Sequence, residues 1–166
     1  MTGKTHAICG TTAMLGATIA THNVLQIDGS QYIPALGLLT VVTGSYLPDI
    51  DLPQSKMGHK FSFIAKRLTH RGITHTLLFP SLLLLLMLWA QEMGIMIVPE
   101  LILGLNVGWL AHIVADLFNR KGVPIFWPFT NKHIHIASFR TSSWQEVVFI
   151  ILWLGGAITW VYFLLR

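Results

Sequence analysis

The chain has 166 residues, 53% hydrophobic and only 11% charged, with a formal net charge of +4. A soluble domain carries about a quarter charged residues, so this share, with a mean hydropathy of +0.62, indicates a chain whose solvent is largely lipid. The positive balance does not indicate nucleic acid: no basic helix or set of stacking aromatics accompanies it, and the Lys and Arg lie between apolar runs, where anionic headgroups attract them.

In chain order, the first apolar run covers 5–25. Thr12, Gly16 and Ala20 recur every fourth residue, as do Ala13, Ala17 and Thr21, which lets helices approach closely and predicts a buried span. The run follows Lys4 but is diluted by Thr and Gly, unlike a cleaved signal peptide. Cys9 is the only cysteine, which excludes an intrachain disulfide; three residues after His6, it reads as a small core thiol ahead of a metal ligand.

The second run, 32–50, ends in LPDID, where Pro48 disfavours helix at Leu47. In an extended turn Asp49 and Asp51 point the same way. As plain helix-end carboxylates they face the negative end of the helix dipole, a penalty that a bound cation removes. Residues 56–70 place Met57, Phe61, Ile64, Ala65 and Leu68 at helical spacing among Lys56, Lys60, Lys66 and Arg67, which predicts a short amphipathic helix on the membrane surface.

Gly72 breaks the chain between His70 and His75, and Thr74 is the expected N-cap of a third span, 74–91. This leucine wall is expected to face lipid, with Pro80 removing a backbone bond and kinking it. The fourth span, 97–119, carries His112 and Asp116 four residues apart on one helix face, with Gly108 and Asn119 continuing the stripe. His133 and His135 share one face of a strand in an expected interfacial hairpin before the fifth span, 144–165. The reading is a single-domain, all-α membrane protein over 1–166, a bundle of about five transmembrane helices with one interfacial helix.

Segments 49–73 and 120–143 hold Lys56, Lys60, Lys66, Arg67, Arg71, Arg120, Lys121, Lys132 and Arg140, whereas 26–31 and 92–96 hold no Lys or Arg. Basic loops favour the cytoplasm, so the N-terminus is expected inside, with Arg166 the exception. Alternating helices then gather His6, Asp49, Asp51, His70, His75, His112 and Asp116 at one membrane face. Ionisable groups in spans are costly and tend to be functional. This mixed N/O set suits Zn, Mn or Fe, as one ion or two, with a carboxylate as general base. Lys4 and Arg71 adjoin it and can hold an anionic headgroup, while His22, at the far end of the first span, and His59 lie apart.

The stretches THAICG, LPDIDLPQS, THRGITHTLL, HIVAD and GVPIFWPF follow one another between residues 5 and 129. Together they resemble the YdjM-type inner-membrane proteins described as LexA-regulated, membrane-bound, metal-dependent hydrolases. The chain departs from the pattern at Thr69, where a small residue is expected, and after residue 130, which leaves His133 and His135 outside the match. The resemblance implies a hydrolase fold related to the zinc-dependent phospholipase C-like proteins. It nominates His6, Asp49, Asp51, His70, His75, His112 and Asp116 as the metal set. Within this set Asp49, Asp51 and His75 are expected to act on the substrate, with Lys4 and Arg71 binding it.

The expected activity is therefore hydrolysis of a phosphoester or acyl bond of a lipid-like substrate at the cytoplasmic membrane face, and no Gly-x-Ser-x-Gly motif competes with it. A metal transporter or a metal-stabilised scaffold is the competing reading. A transporter places polar groups near the midplane and often shows repeated halves, whereas here the polar set gathers at one end.

Overall fold

The computed structural model describes residues 1–23, 34–95 and 97–166. The 26–31 connection, the adjoining ends of the first two expected spans and the side chain of His22 lie outside the described residues. The elements are α1 (Gly3–Asn23), α2 (Pro34–Tyr46), a 3-10 turn (Leu47–Asp51), α3 (Lys56–Lys60), α4 (Ser62–Ala65), a second 3-10 turn (Ile73–His75), α5 (Leu78–Glu92), α6 (Ile97–Leu117) and α7 (Trp144–Leu164).

Helix α6 is the axis of the bundle, and glycine sets how closely its partner approaches. A Cβ on Gly44 would collide with the backbone of Leu105, and one on Gly108 with the carbonyl of Val41. The backbones of α2 and α6 therefore touch, and the Thr40 hydroxyl donates across the seam to the Leu101 carbonyl at 2.8 Å. In lipid, close packing and bonds of this kind hold helices together, each bond contributing about 1 kcal/mol.

Helix α1 packs against α2, α6 and α7, as its small residues predict, with Cys9 and Met14 fully buried. The Trp153 indole N–H donates to the Thr12 hydroxyl at 2.8 Å. At its start Thr2 N–H, Ser142 N–H and the Thr5 hydroxyl converge on Glu146, which clasps α7 to α1. Helix α5 packs on α6 and leaves Leu82, Leu85, Leu88 and Trp89 exposed, consistent with the lipid-facing wall.

Among the described residues two helices, Pro99–Leu117 and Trp144–Leu164, are long and apolar enough on their own to cross a membrane. Helix α5 is apolar but shorter, α1 is diluted by Thr and Gly, and α2 has 13 residues. Three expectations need correction. Residues 56–70 form no continuous amphipathic helix: Phe61, at φ −115° and ψ 48°, separates α3 from α4. Thr74 caps nothing, because α5 starts at Leu78 after Leu77 and the Thr74 hydroxyl is used elsewhere. Pro80 lies in the first turn of α5, where backbone N–H groups have no helical partner, so no bond is lost and no kink follows. The 120–143 segment forms one antiparallel bridge, Val123 to Ile134, and Phe139 pairs with Asn119 at the end of α6.

Candidate metal centre

Four stretches of chain meet beneath the end of α6. His6 comes from the second turn of α1, and Asp49 and Asp51 from the 3-10 turn after α2. His70, Arg71, Thr74 and His75 come from the segment before α5, and His112 and Asp116 from the last two turns of α6. His6, Asp51, His75, His112 and Asp116 are each 1% exposed or less. The side chains of Asp49 and His70 are 14% and 28% exposed, so water reaches the cluster past these two.

The tautomers follow from the partners. His112 Nδ1 lies 2.7 Å from the carbonyl oxygen of Ser45, which can only accept, so Nδ1 carries the proton. That carbonyl lies in the last turn of α2, where backbone oxygens lack an intrahelical partner and are open to a side chain. The Thr74 hydroxyl donates to Asp51 Oδ2 at 2.6 Å and so accepts at 3.0 Å from His75 Nδ1, which also lies 3.3 Å from the same carboxylate oxygen. His75 Nδ1 is therefore protonated as well.

The Nε2 atoms of the two rings then point lone pairs at each other across 3.2 Å. Around them stand Asp49 Oδ1, 3.9 Å from His75 Nε2 and 3.8 Å from His112 Nε2, and Asp116 Oδ2, 3.7 and 3.8 Å away. Two lone pairs and two carboxylate oxygens facing inward form an arrangement that a cation satisfies and that is repulsive without one. The His6 ring stacks on His112 with centroids 3.6 Å apart, and its Nδ1 is buried with no hydrogen-bond partner among the described residues. Ligand atoms of His6, Asp49 and His112, of His75, His112 and Asp116, and of Asp49, Asp51 and His75 lie within 4.8 Å of one another in each trio. The donor set fits a divalent ion with mixed nitrogen and oxygen ligands.

The remaining groups support this ring. Asp51 accepts from the Arg71 backbone N–H at 2.9 Å and from Thr74, and its other oxygen lies 3.0 Å from His70 Nδ1. Burial pushes the Asp51 carboxyl up, but hydrogen bonds from His70, His75 and Thr74 outweigh it and hold the group well below the usual carboxylate range. The Arg71 guanidinium is buried, donating to Asp116 Oδ2 at 2.7 Å and to the Gly122 carbonyl at 3.0 Å, while the Met1 ammonium meets Asp116 Oδ1 at 2.7 Å. Both cations thus pair with Asp116.

The seven residues expected to form the metal set all arrive at one place. The Asp49 and Asp51 side chains do not point the same way: the 3-10 turn splits them, Asp49 toward the two Nε2 atoms and Asp51 toward the Arg71 and Thr74 donors. Arg71 is occupied by Asp116, and Lys4 is exposed at the surface. His133 and His135 are exposed and belong to none of the trios. Sequence reasoning missed the bridging role of Thr74 and the Ser45 carbonyl. Its one available signal was a hydroxyl beside a histidine in a segment already suspected.

The model of the family described as YdjM inner membrane protein matches residues 1–165. Over 86 residues the chain is 38% identical to the inner membrane protein YdjM of Escherichia coli K12, a match covering 49% of this chain and 44% of that one. The inner membrane protein YdjM of Shigella flexneri matches to the same extent, so the chain aligns with less than half the length of these two relatives. Over 152 residues it is 29% identical to the uncharacterized protein YvsG of Bacillus subtilis 168, covering 88% of this chain and 85% of that one. No solved structure matches.

Proposed function

The chain belongs to the YdjM family of inner membrane proteins, and on that premise we propose that it is a metal-dependent hydrolase embedded in the membrane. It acts on a phosphoester or acyl bond of a lipid-like substrate at the cytoplasmic face. The observation that carries this reading is the facing pair of His75 and His112 Nε2 atoms, 3.2 Å apart and ringed by Asp49 and Asp116. His6, Asp49, His75, His112 and Asp116 would hold one or two ions, most readily zinc, with manganese or iron as alternatives. A bound divalent ion supplies Lewis acidity to a substrate oxygen and lowers the pKa of water toward about 7.

The chain's own residues do the rest. Asp51 and Thr74 fix the tautomer and orientation of His75, and the Ser45 carbonyl does so for His112. Arg71 holds Asp116 in place. Asp49, the most exposed carboxylate of the set, is positioned to take a proton from incoming water and return it to the leaving group. The burial of the other ligands excludes bulk water and strengthens their electrostatics.

In the same reading α1, α2, α5, α6 and α7 all cross the bilayer, with the N-terminus and the basic segments inside. The stretches not long or apolar enough on their own cross as parts of the packed bundle. The deciding experiment is metal analysis of the purified protein, followed by lipid hydrolysis assays with and without chelator. Protein that hydrolyses lipid while free of metal overturns the proposal.

A further inference from the structure

Beside the candidate centre, between the end of α2 and α3, lies a cleft of about 610 Å³, lined among others by Tyr46, Ser55, Lys56, Met57, His59 and Lys60. Its volume is in the range of small-molecule sites. Three basic side chains line it and no carboxylate does. Among the described residues no carboxylate pairs with Lys56 or Lys60, so their charges are free to meet a ligand. The Lys56 ammonium stands 5.3 Å over the Tyr46 ring, which restrains it at one wall.

The cleft is built onto the turn that carries Asp49. The Ser55 hydroxyl donates to the Asp49 carbonyl at 2.6 Å and accepts from Gly58 N–H at 2.8 Å, tying the first turn of α3 to that turn. Gly58 seats α3 flush on the Leu52 carbonyl, where any Cβ would collide. The wall bearing Lys56 and Lys60 is therefore held in fixed relation to the carboxylate through which water reaches the metal set. Next in the chain after α3, Phe61 and Phe63 are 42% and 65% exposed, apolar side chains of the kind that sit among headgroups and upper acyl chains.

We infer that this cleft binds the phosphate-bearing head of an anionic amphiphile, with Lys56, Lys60 and His59 on the phosphate and Met57 and Tyr46 against its apolar part. Phosphate fits because several donors can converge on its oxygens in charge-assisted bonds. The amphiphile follows from the apolar wall that Tyr46 and Met57 add to the same cleft. Such a subsite gives the proposed hydrolase its substrate class and rests on that reading only for what happens after binding.

Binding is therefore measured apart from turnover. The full chain, purified in detergent and stripped with EDTA, is titrated by native mass spectrometry with a short-chain phosphatidic acid, the matching phosphatidylcholine and inorganic phosphate. Lys56→Gln/Lys60→Gln is compared with Lys66→Gln/Arg67→Gln, which removes the same charge from exposed positions outside the cleft. The expected result is at least tenfold weaker phosphatidic acid binding in the first variant and less than threefold change in the second, with phosphatidylcholine and free phosphate binding weakly throughout. Equal losses in both variants would mean general attraction to basic loops and overturn the site. Free phosphate binding as tightly as phosphatidic acid would overturn the amphiphile. Lys60→Glu is the second probe: should the double variant misfold, unchanged phosphatidic acid binding by Lys60→Glu overturns the proposal as well. Asp116→Ala retains lipid binding while losing metal, so failure of the hydrolase reading leaves a different signature from failure of the cleft.

Discussion

Gly108 lies one helical turn before His112 on the same face of α6, and a Cβ there would stand 2.7 Å from the backbone nitrogen of Ser45, the residue whose carbonyl fixes the His112 ring. The contact that packs the two central helices and the contact that orients a candidate ligand are thus one turn apart. Gly108→Val is expected to force the helices apart, costing about 1–3 kcal/mol as overpacking does, and to lower metal content with it. Gly155→Val, where nothing among the described residues would lie within 4 Å of the added Cβ, is the comparison and should change neither. Thermal unfolding in detergent with metal analysis of the same preparations reads both effects.

Removing a ligand tests the centre directly. His112→Ala and Asp116→Ala are expected to lose bound metal and lipid hydrolysis while still reaching the membrane. His135→Ala, exposed and away from the trios, should keep both. Metal affinity of the unaltered protein should fall as pH is lowered, because protons compete with the ion for the imidazole nitrogens. Purified variants that keep stoichiometric zinc would show that these side chains are not ligands.

Thr74→Val tests the supporting layer. Valine keeps the shape but removes the hydroxyl that bridges Asp51 and His75 Nδ1. Loss of such an outer partner weakens metal binding about 10- to 100-fold, and Thr74→Ser should restore most of it. A competition titration with a zinc chelator gives the number, and wild-type affinity in the valine variant would remove the bridge from the account.

The orientation is checked by labelling. In a Cys9→Ser background, Lys66→Cys should be blocked by an impermeant thiol reagent only when the cytoplasmic side is opened. Labelling of intact spheroplasts from outside would invert the topology.

Much of the centre was legible because two periodicities do not depend on tertiary context. The four-residue step from His112 to Asp116 is a property of any helix, and spans expected to alternate in direction would bring His6, Asp49, Asp51 and His75 to one end. What was illegible turns on backbone detail. The choice of a 3-10 turn over an extended one at Leu47–Asp51 decides whether two aspartates share a target or divide their work, and a proline before them is compatible with either. The break at Phe61 is likewise a local choice, since the apolar spacing of 56–70 runs straight through it. Arg71 read as a substrate clamp because its charge was visible in the sequence and its partner, Asp116, 45 positions away, was not.

Arg71 holds its backbone at φ 59°, a left-handed conformation that glycine adopts freely and other residues adopt at a cost of about 1–3 kcal/mol. From that pose its N–H reaches Asp51 and its guanidinium reaches Asp116, on opposite flanks of the centre. One residue therefore serves as a crossbar between the turn after α2 and the end of α6. Arg71→Gly would relax the backbone and leave Asp116 without its guanidinium. Arg71→Lys would preserve the charge but not the planar fork that spans Asp116 and the Gly122 carbonyl. The protein gives up ease of folding at this position in return for a centre whose two halves cannot drift apart independently.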